Sequence, residues 1–207
     1  QNIAYDNGIA KELARHAALG DVLGRGDRHF ENYVICKGHL YPVDISILFW
    51  PNNEEWLERY ASANNNECNV VNCFQASTDV SVEETMSRFN DYMKEYEIAV
   101  KECEKRESDI LKLVHKELSH DPKVSERQHY VREKLSNTDH LIKETRARNL
   151  KSIIESKKRY IYKEVLNQIV KKHPEVLKEY PWLKMYYLAD KDRQSAFFLI
   201  EDKDNDI

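Results

Sequence analysis

SVEETMSRFNDYMKEYEIAVKEC, residues 81–103, is the stretch whose periodicity decides the fold class. Ser81 followed by Glu84 forms a capping box, in which each side chain satisfies a backbone N–H that the first helical turn leaves open. Apolar residues then recur at Val82, Met86, Phe89, Met93, Tyr96, Val100 and Cys103, and onward at Ile110, Val114 and Leu118. The spacings mostly alternate four and three, the pattern of a helix laid along a partner, and Glu107 is the one charged residue on the seam. Asp121-Pro122 breaks this helix, and a second helical stretch is predicted from about Val124 to Lys172, kinked or re-capped at Asn137-Thr138-Asp139. Its seam reads Val131, Leu135, Ile142, Leu150, Ile153, Tyr160, Val165 and Ile169. Pro174 and Pro181 divide the short helical pieces that follow, and the acidic end from Glu201 to Asp206 is expected to fray. Residues 80–207 are thus expected to form a long helical hairpin or bundle, with the Met and Tyr stripe as its core.

Working outward, residues 1–79 have a different character. Residues 2 to about 20 suit a helix, with Ile9, Leu13, Ala17 and Leu19 on one face and Gly20 placed to end it. A polar, turn-rich loop spans residues 21–32. Two short strands follow, Tyr33–Cys36 and His39–Val43, joined by Lys37-Gly38 as a tight hairpin turn. Glu54 to Ala61 reads as a short helix and Ser62 to Thr78 as a long loop. The fold class is therefore mainly α with a small β-hairpin (α+β), in two regions, 1–79 and 80–207.

Composition narrows the possibilities. The 207 residues are 41% hydrophobic and 33% charged, with a net charge of -4, which gives no general attraction to nucleic acid. Lysines gather between Lys151 and Lys172, but Glu155 and Glu164 are interleaved, which favours a solvated helix face over a nucleic-acid or membrane surface. The longest apolar run, Ile45 to Trp50, is too short to cross a bilayer. Cys36, Cys68, Cys73 and Cys103 are too few and too scattered for a disulfide framework, consistent with a reducing, cytoplasmic compartment.

Chemistry concentrates in residues 26–44. Phosphoryl transfer from ATP asks the protein for positioning, for oxygen ligands to a hard metal ion, and for a polar group beside the acceptor hydroxyl. Asp27 and Asn32 stand five residues apart, the separation of the catalytic-loop Asp and Asn of protein kinases, and Asp44 follows after a strand-turn-strand. The run Gly26-Asp27-Arg28-His29-Phe30-Glu31-Asn32 resembles the GDRHxxN loop of phosphatidylinositol 3- and 4-kinases and their protein-kinase relatives. The run Gly38 to Ile45 resembles that family's strand ending in Asp-Phe-Gly, with Ile45-Ser46 here in place of Phe-Gly. The histidine following the Asp, rather than preceding it, points to this branch.

The resemblance implies the carboxy-terminal lobe of a kinase-like fold, with ATP and Mg2+ as cofactors. It implies that Asp27 holds or deprotonates the acceptor hydroxyl, with His29 as general base because histidine titrates near neutral pH. It further implies that Asn32 and Asp44 ligate magnesium. It covers about the first fifty residues, and nothing before residue 20 supplies an ATP-covering glycine loop or a phosphate-gripping lysine. The chain opens on Gln1 at the helix that would follow such a lobe, so a fragment of a longer kinase is expected.

The acceptor is expected to be a protein or lipid hydroxyl. Between Ile47 and Asp79 Arg59 is the one basic residue among several acidic ones, which weighs against an anionic lipid. Two other functions fit less of the sequence. One is a non-catalytic kinase-like scaffold whose helical region binds a protein partner. The other is a metal-dependent phosphatase or nuclease using Asp27, His29 and Asp44, which lacks the second carboxylate cluster that two-metal hydrolysis requires.

Overall fold

The computed structural model describes residues 5–25, 33–43, 74–76 and 78–181. In chain order the elements are α1 (Asn7–Val22), β1 (Tyr33–Cys36), β2 (His39–Pro42), α2 (Val82–Lys105), α3 (Glu107–Glu117), α4 (Val124–Leu135), α5 (Thr138–Lys172) and α6 (Val176–Glu179). The fold is mainly helical with one small antiparallel hairpin, as the periodicity predicts. The chain falls into two compact units, Gln1–Ile154 and Glu155–Ile207.

In the first unit α1 begins at Asp6, whose carboxylate accepts from the N–H groups of Gly8 and Ile9 at 2.7 and 3.1 Å. Its buried face is a stripe of small residues, Ala10, Ala14, Ala17 and Ala18, together with Leu13 and Val22. That stripe lets α2 approach closely and seat Phe89, Tyr92, Met93, Tyr96 and Val100 in one core with it. Phe74 completes the layer, its ring meeting those of Tyr92 and Phe89 edge-on at 5.2 and 6.1 Å between centroids. Leu19, expected on the inner face, is exposed, because the alanine stripe defines a slightly different inner face.

Ser81 caps α2 as expected, accepting from the Glu84 N–H at 3.0 Å. The helix predicted to continue to Leu118 breaks at Arg106, beside the charged seam position Glu107. Restarting as α3 turns Leu111 and Val114 toward Val131 and Leu135 of α4, with Val22 of α1 in the same cluster. Glu107 stays half-buried, 3.8 Å from Arg132. The second helical stretch is divided between Leu135 and Thr138, at the predicted re-capping point.

In the second unit the seam departs from expectation. Val165 and Ile169 are exposed, whereas Lys157 and Val170 are buried and Tyr160, Lys163 and Asn167 half-buried. The inward face of this half of α5 mixes polar residues with Tyr160, Leu166 and Val170, so the predicted apolar seam marks it only in part. No helix among the described residues is long and apolar enough to cross a membrane. The helix expected at residues 54–61, most of the loop at 62–78 and the acidic end lie outside the described residues.

Candidate functional site

The segment entering the candidate loop is set by how α1 ends. Gly20, expected as the terminator, is buried inside the helix. Two turns finish the work further on: Leu23 N–H donates to Leu19 O at 2.9 Å, and Arg25 N–H donates to Gly20 O at 2.7 Å. Gly24 between them has φ +61°. This is the Schellman arrangement, in which a left-handed residue after the helix lets the chain close over the last carbonyls. A Cβ on Gly24 would lie 2.6 Å from the Tyr130 hydroxyl, so glycine is required here twice over.

Between the candidate loop and Asp44 stands the hairpin. Lys37 and Gly38 both have positive φ, 51° and 80°, the backbone of a two-residue type I′ turn. The register pairs Cys36 with His39, Ile35 with Leu40, Val34 with Tyr41 and Tyr33 with Pro42. Because the turn-closing pair exchanges its hydrogen bonds, the next pair does not, and Leu40 directs its N–H and C=O away from β1. Side chains of α1 meet both groups. The Glu12 carboxylate accepts from the Leu40 N–H and from His39 Nδ1, the latter at 2.7 Å. His16 Nε2 donates to the Leu40 carbonyl at 3.0 Å. Four residues apart on one helix face, Glu12 and His16 stand in for a neighbouring strand and shield this edge. The Leu40 N–H and then the His39 contact hold the Glu12 carboxyl below its ordinary range.

Sequence reasoning missed Asp21, assigned there to a polar loop. It lies in the last turn of α1 with its side chain almost wholly buried, accepting from the Tyr96 hydroxyl at 2.6 Å and the Thr145 hydroxyl at 3.4 Å. Arg148 stands 3.9 Å from the same carboxylate. Burial first, then the Asp21 charge, push the Tyr96 hydroxyl far above the ordinary phenol range, so Tyr96 acts as a donor throughout. No local sequence pattern marks this junction of α1, α2 and α5, whose members lie far apart along the chain.

The expected site residues Asp27, His29, Asn32 and Asp44 lie outside the described residues. Their flanks are described: Arg25 before the loop, Tyr33 after it and Val43 before Asp44. Among the described residues no group of three His, Cys, Asp or Glu side chains is arranged to hold a metal ion. No family model, curated protein or solved structure matches the chain.

Proposed function

We propose that this chain carries the metal- and acceptor-side half of the active site of an atypical ATP-dependent kinase. The observation that best supports this is the hairpin register. Tyr33, which follows Asn32, pairs with Pro42, two residues before Asp44. A metal-binding pair made of the loop-ending Asn and the strand-following Asp calls for such a register. An amide oxygen and a carboxylate also suit Mg2+, which takes hard oxygen ligands. When bound, the ion neutralises charge on the phosphates.

The chain's own groups then have distinct tasks. Asn32 and Asp44 hold the ion, Asp27 orients the acceptor hydroxyl, and His29 takes its proton. The acidic balance of residues 47–79 favours a protein hydroxyl over an anionic lipid head-group. The cytoplasm is the setting that ATP and the scattered cysteines favour.

Binding of ATP with Mg2+ to the chain, and phosphate transfer by the longest polypeptide carrying it, test the proposal. Both are expected to vanish in Asp44→Ala. Binding or transfer that survives that substitution would refute the assignment. A scaffold role is favoured by one observation, the exposed Ile161, Val165 and Ile169 along α5. That reading would prevail if the helical region captured a protein partner while no nucleotide bound.

A further inference from the structure

Three side chains from α1 and the hairpin gather at the turn end of the sheet. Cys36, the last residue of β1, carries a free and exposed thiol. His39, the first residue of β2, pairs with it directly across the Lys37-Gly38 turn. Residues opposite one another in an antiparallel pair project from the same face, with Cβ atoms about 4.5–5.5 Å apart. The thiol and the imidazole are therefore neighbours. His39 in turn donates from Nδ1 to the Glu12 carboxylate of α1 at 2.7 Å. Glu12 is fixed from a second side, since it also accepts from the Leu40 N–H. The imidazole is thus held by one nitrogen, and Nε2 is left to exchange a proton on a side chain that is 64% exposed.

A carboxylate on the Nδ1 side of a histidine, with a nucleophile beside the ring, is the order of groups that readies a thiol for attack. The attacking form is the thiolate, and histidine, which titrates near neutral pH, can take the thiol proton and stand beside the thiolate as a cation. Shielding the edge of β2 needs Glu12 and His16 only, because these satisfy the Leu40 N–H and C=O. The bond to His39 satisfies no backbone group. The turn is exposed on every residue from Cys36 to His39, which suits a reagent that brings its own leaving group and needs no enclosing pocket. A small disulfide is such a reagent. Lys37, next in the chain to the thiol and also exposed, favours a disulfide that bears carboxylates.

We propose that Cys36 is a modification site for thiol–disulfide exchange with a small, carboxylate-bearing disulfide, with His39 as its proton acceptor and Glu12 as the positioning residue of His39. The thiol gives its proton to His39 Nε2, and the thiolate attacks one sulfur of the disulfide. A new S–S bond joins Cys36 to that sulfur, the original S–S bond breaks, and the departing thiolate takes the proton from His39. Cys36 is oxidised, the departing half of the disulfide is reduced, and no further oxidant is required. This site stands apart from the kinase reading and survives its failure.

The test mixes the reduced full chain with glutathione disulfide and follows the adduct on the Cys36-containing peptide by mass spectrometry. Hydrogen exchange at the Leu40 amide, on the same proteins, reports whether the hairpin is intact. An ordinary thiol is only a few per cent ionised at about pH 7, so complete ionisation could raise the rate roughly thirty-fold, and the lower nucleophilicity of a stabilised thiolate takes part of that back. His39→Gln, which keeps a donor for Glu12, is therefore expected to slow the adduct about five- to ten-fold at about pH 7 while Leu40 exchange is unchanged. Glu12→Gln, which keeps an acceptor for Leu40, is expected to fall between the two. The other titratable groups at this end, Lys37 in the turn, Tyr41 on β2 and His16 on α1, remain in every variant. The deficit of His39→Gln should close in alkali, where the thiol ionises without help. Equal rates at about pH 7 would overturn the proposal. So would a deficit that persists unchanged in alkali, or one accompanied by faster Leu40 exchange, since either would make His39 a structural part of the hairpin.

Discussion

The hydroxyl of Tyr96 donates to the carboxylate of Asp21 at 2.6 Å, joining α1 to α2 within a buried core. Thr145 of α5 reaches the same carboxylate, so three helices meet on one charge. Removing the shortest donor leaves a buried anion under-satisfied. Tyr96→Phe is expected to destabilise the chain by about 2 kcal/mol, since bonds to charged groups contribute roughly 1.5–3 kcal/mol. The Tyr96→Phe, Asp21→Asn double variant should lose less than the two single losses combined. Urea denaturation of the four proteins measures the coupling, and strict additivity would contradict it.

The end of α1 depends on Gly24. Alanine there meets both a strained φ of +61° and the Tyr130 hydroxyl 2.6 Å from its Cβ. Gly24→Ala is expected to cost about 1–3 kcal/mol, the range for a non-glycine residue forced into a left-handed conformation. Combining it with Tyr130→Ala should recover the steric part of the loss and leave the backbone part. Thermal unfolding of the two Gly24→Ala proteins, each against its Gly24 parent, separates these contributions.

The alanine stripe of α1 sets how near α2 can come. Ala14 is fully buried in that contact. Ala14→Leu is expected to destabilise by about 1–3 kcal/mol through overpacking, although leucine is a good helix former and apolar. The reverse exchange at exposed Leu19, Leu19→Ala, should change stability by less than about 0.5 kcal/mol. A chemical-denaturation comparison of the two proteins checks the assignment of the inner face.

Acid should loosen the hairpin through Glu12. Its carboxyl titrates below the ordinary range in the folded chain because it accepts from Leu40 N–H and His39. A depressed folded value means that the contribution is present above the unfolded glutamate value of about 4.3 and fades as pH falls through the lower folded one. Hydrogen exchange at the Leu40 amide is expected to accelerate across that acid window beyond its intrinsic pH dependence. In Glu12→Gln the extra acceleration should be absent.

Much of this fold is legible in the sequence. The capping box at Ser81, the heptad run through Val100 and the Lys37-Gly38 turn all depend on residues within a few positions of one another, so local sequence specifies them. The fold has a capped α2, a type I′ hairpin and a seam buried at Phe89, Met93, Tyr96 and Val100, whereas Val82, at the first turn, is exposed. Gly20 misleads because glycine stops a helix only where the chain takes a left-handed turn, and that turn falls at Gly24, where Tyr130 from α4 crowds the backbone. Val165 and Ile169 mislead because which face of α5 is inward is decided by what packs on it.

By itself, then, the sequence determined the helical class, the hairpin and its turn, and the motif at Gly26–Asn32 with Asp44, because periodicity, caps and motif spacing are short-range properties. Tertiary structure alone decided that Asp21 is a buried junction, that Glu12 and His16 clasp the outer edge of β2, and that Arg25 spans to Val43. These contacts join residues from 18 to 124 positions apart. Only the packing of helices around a shared core brings such partners within hydrogen-bonding distance.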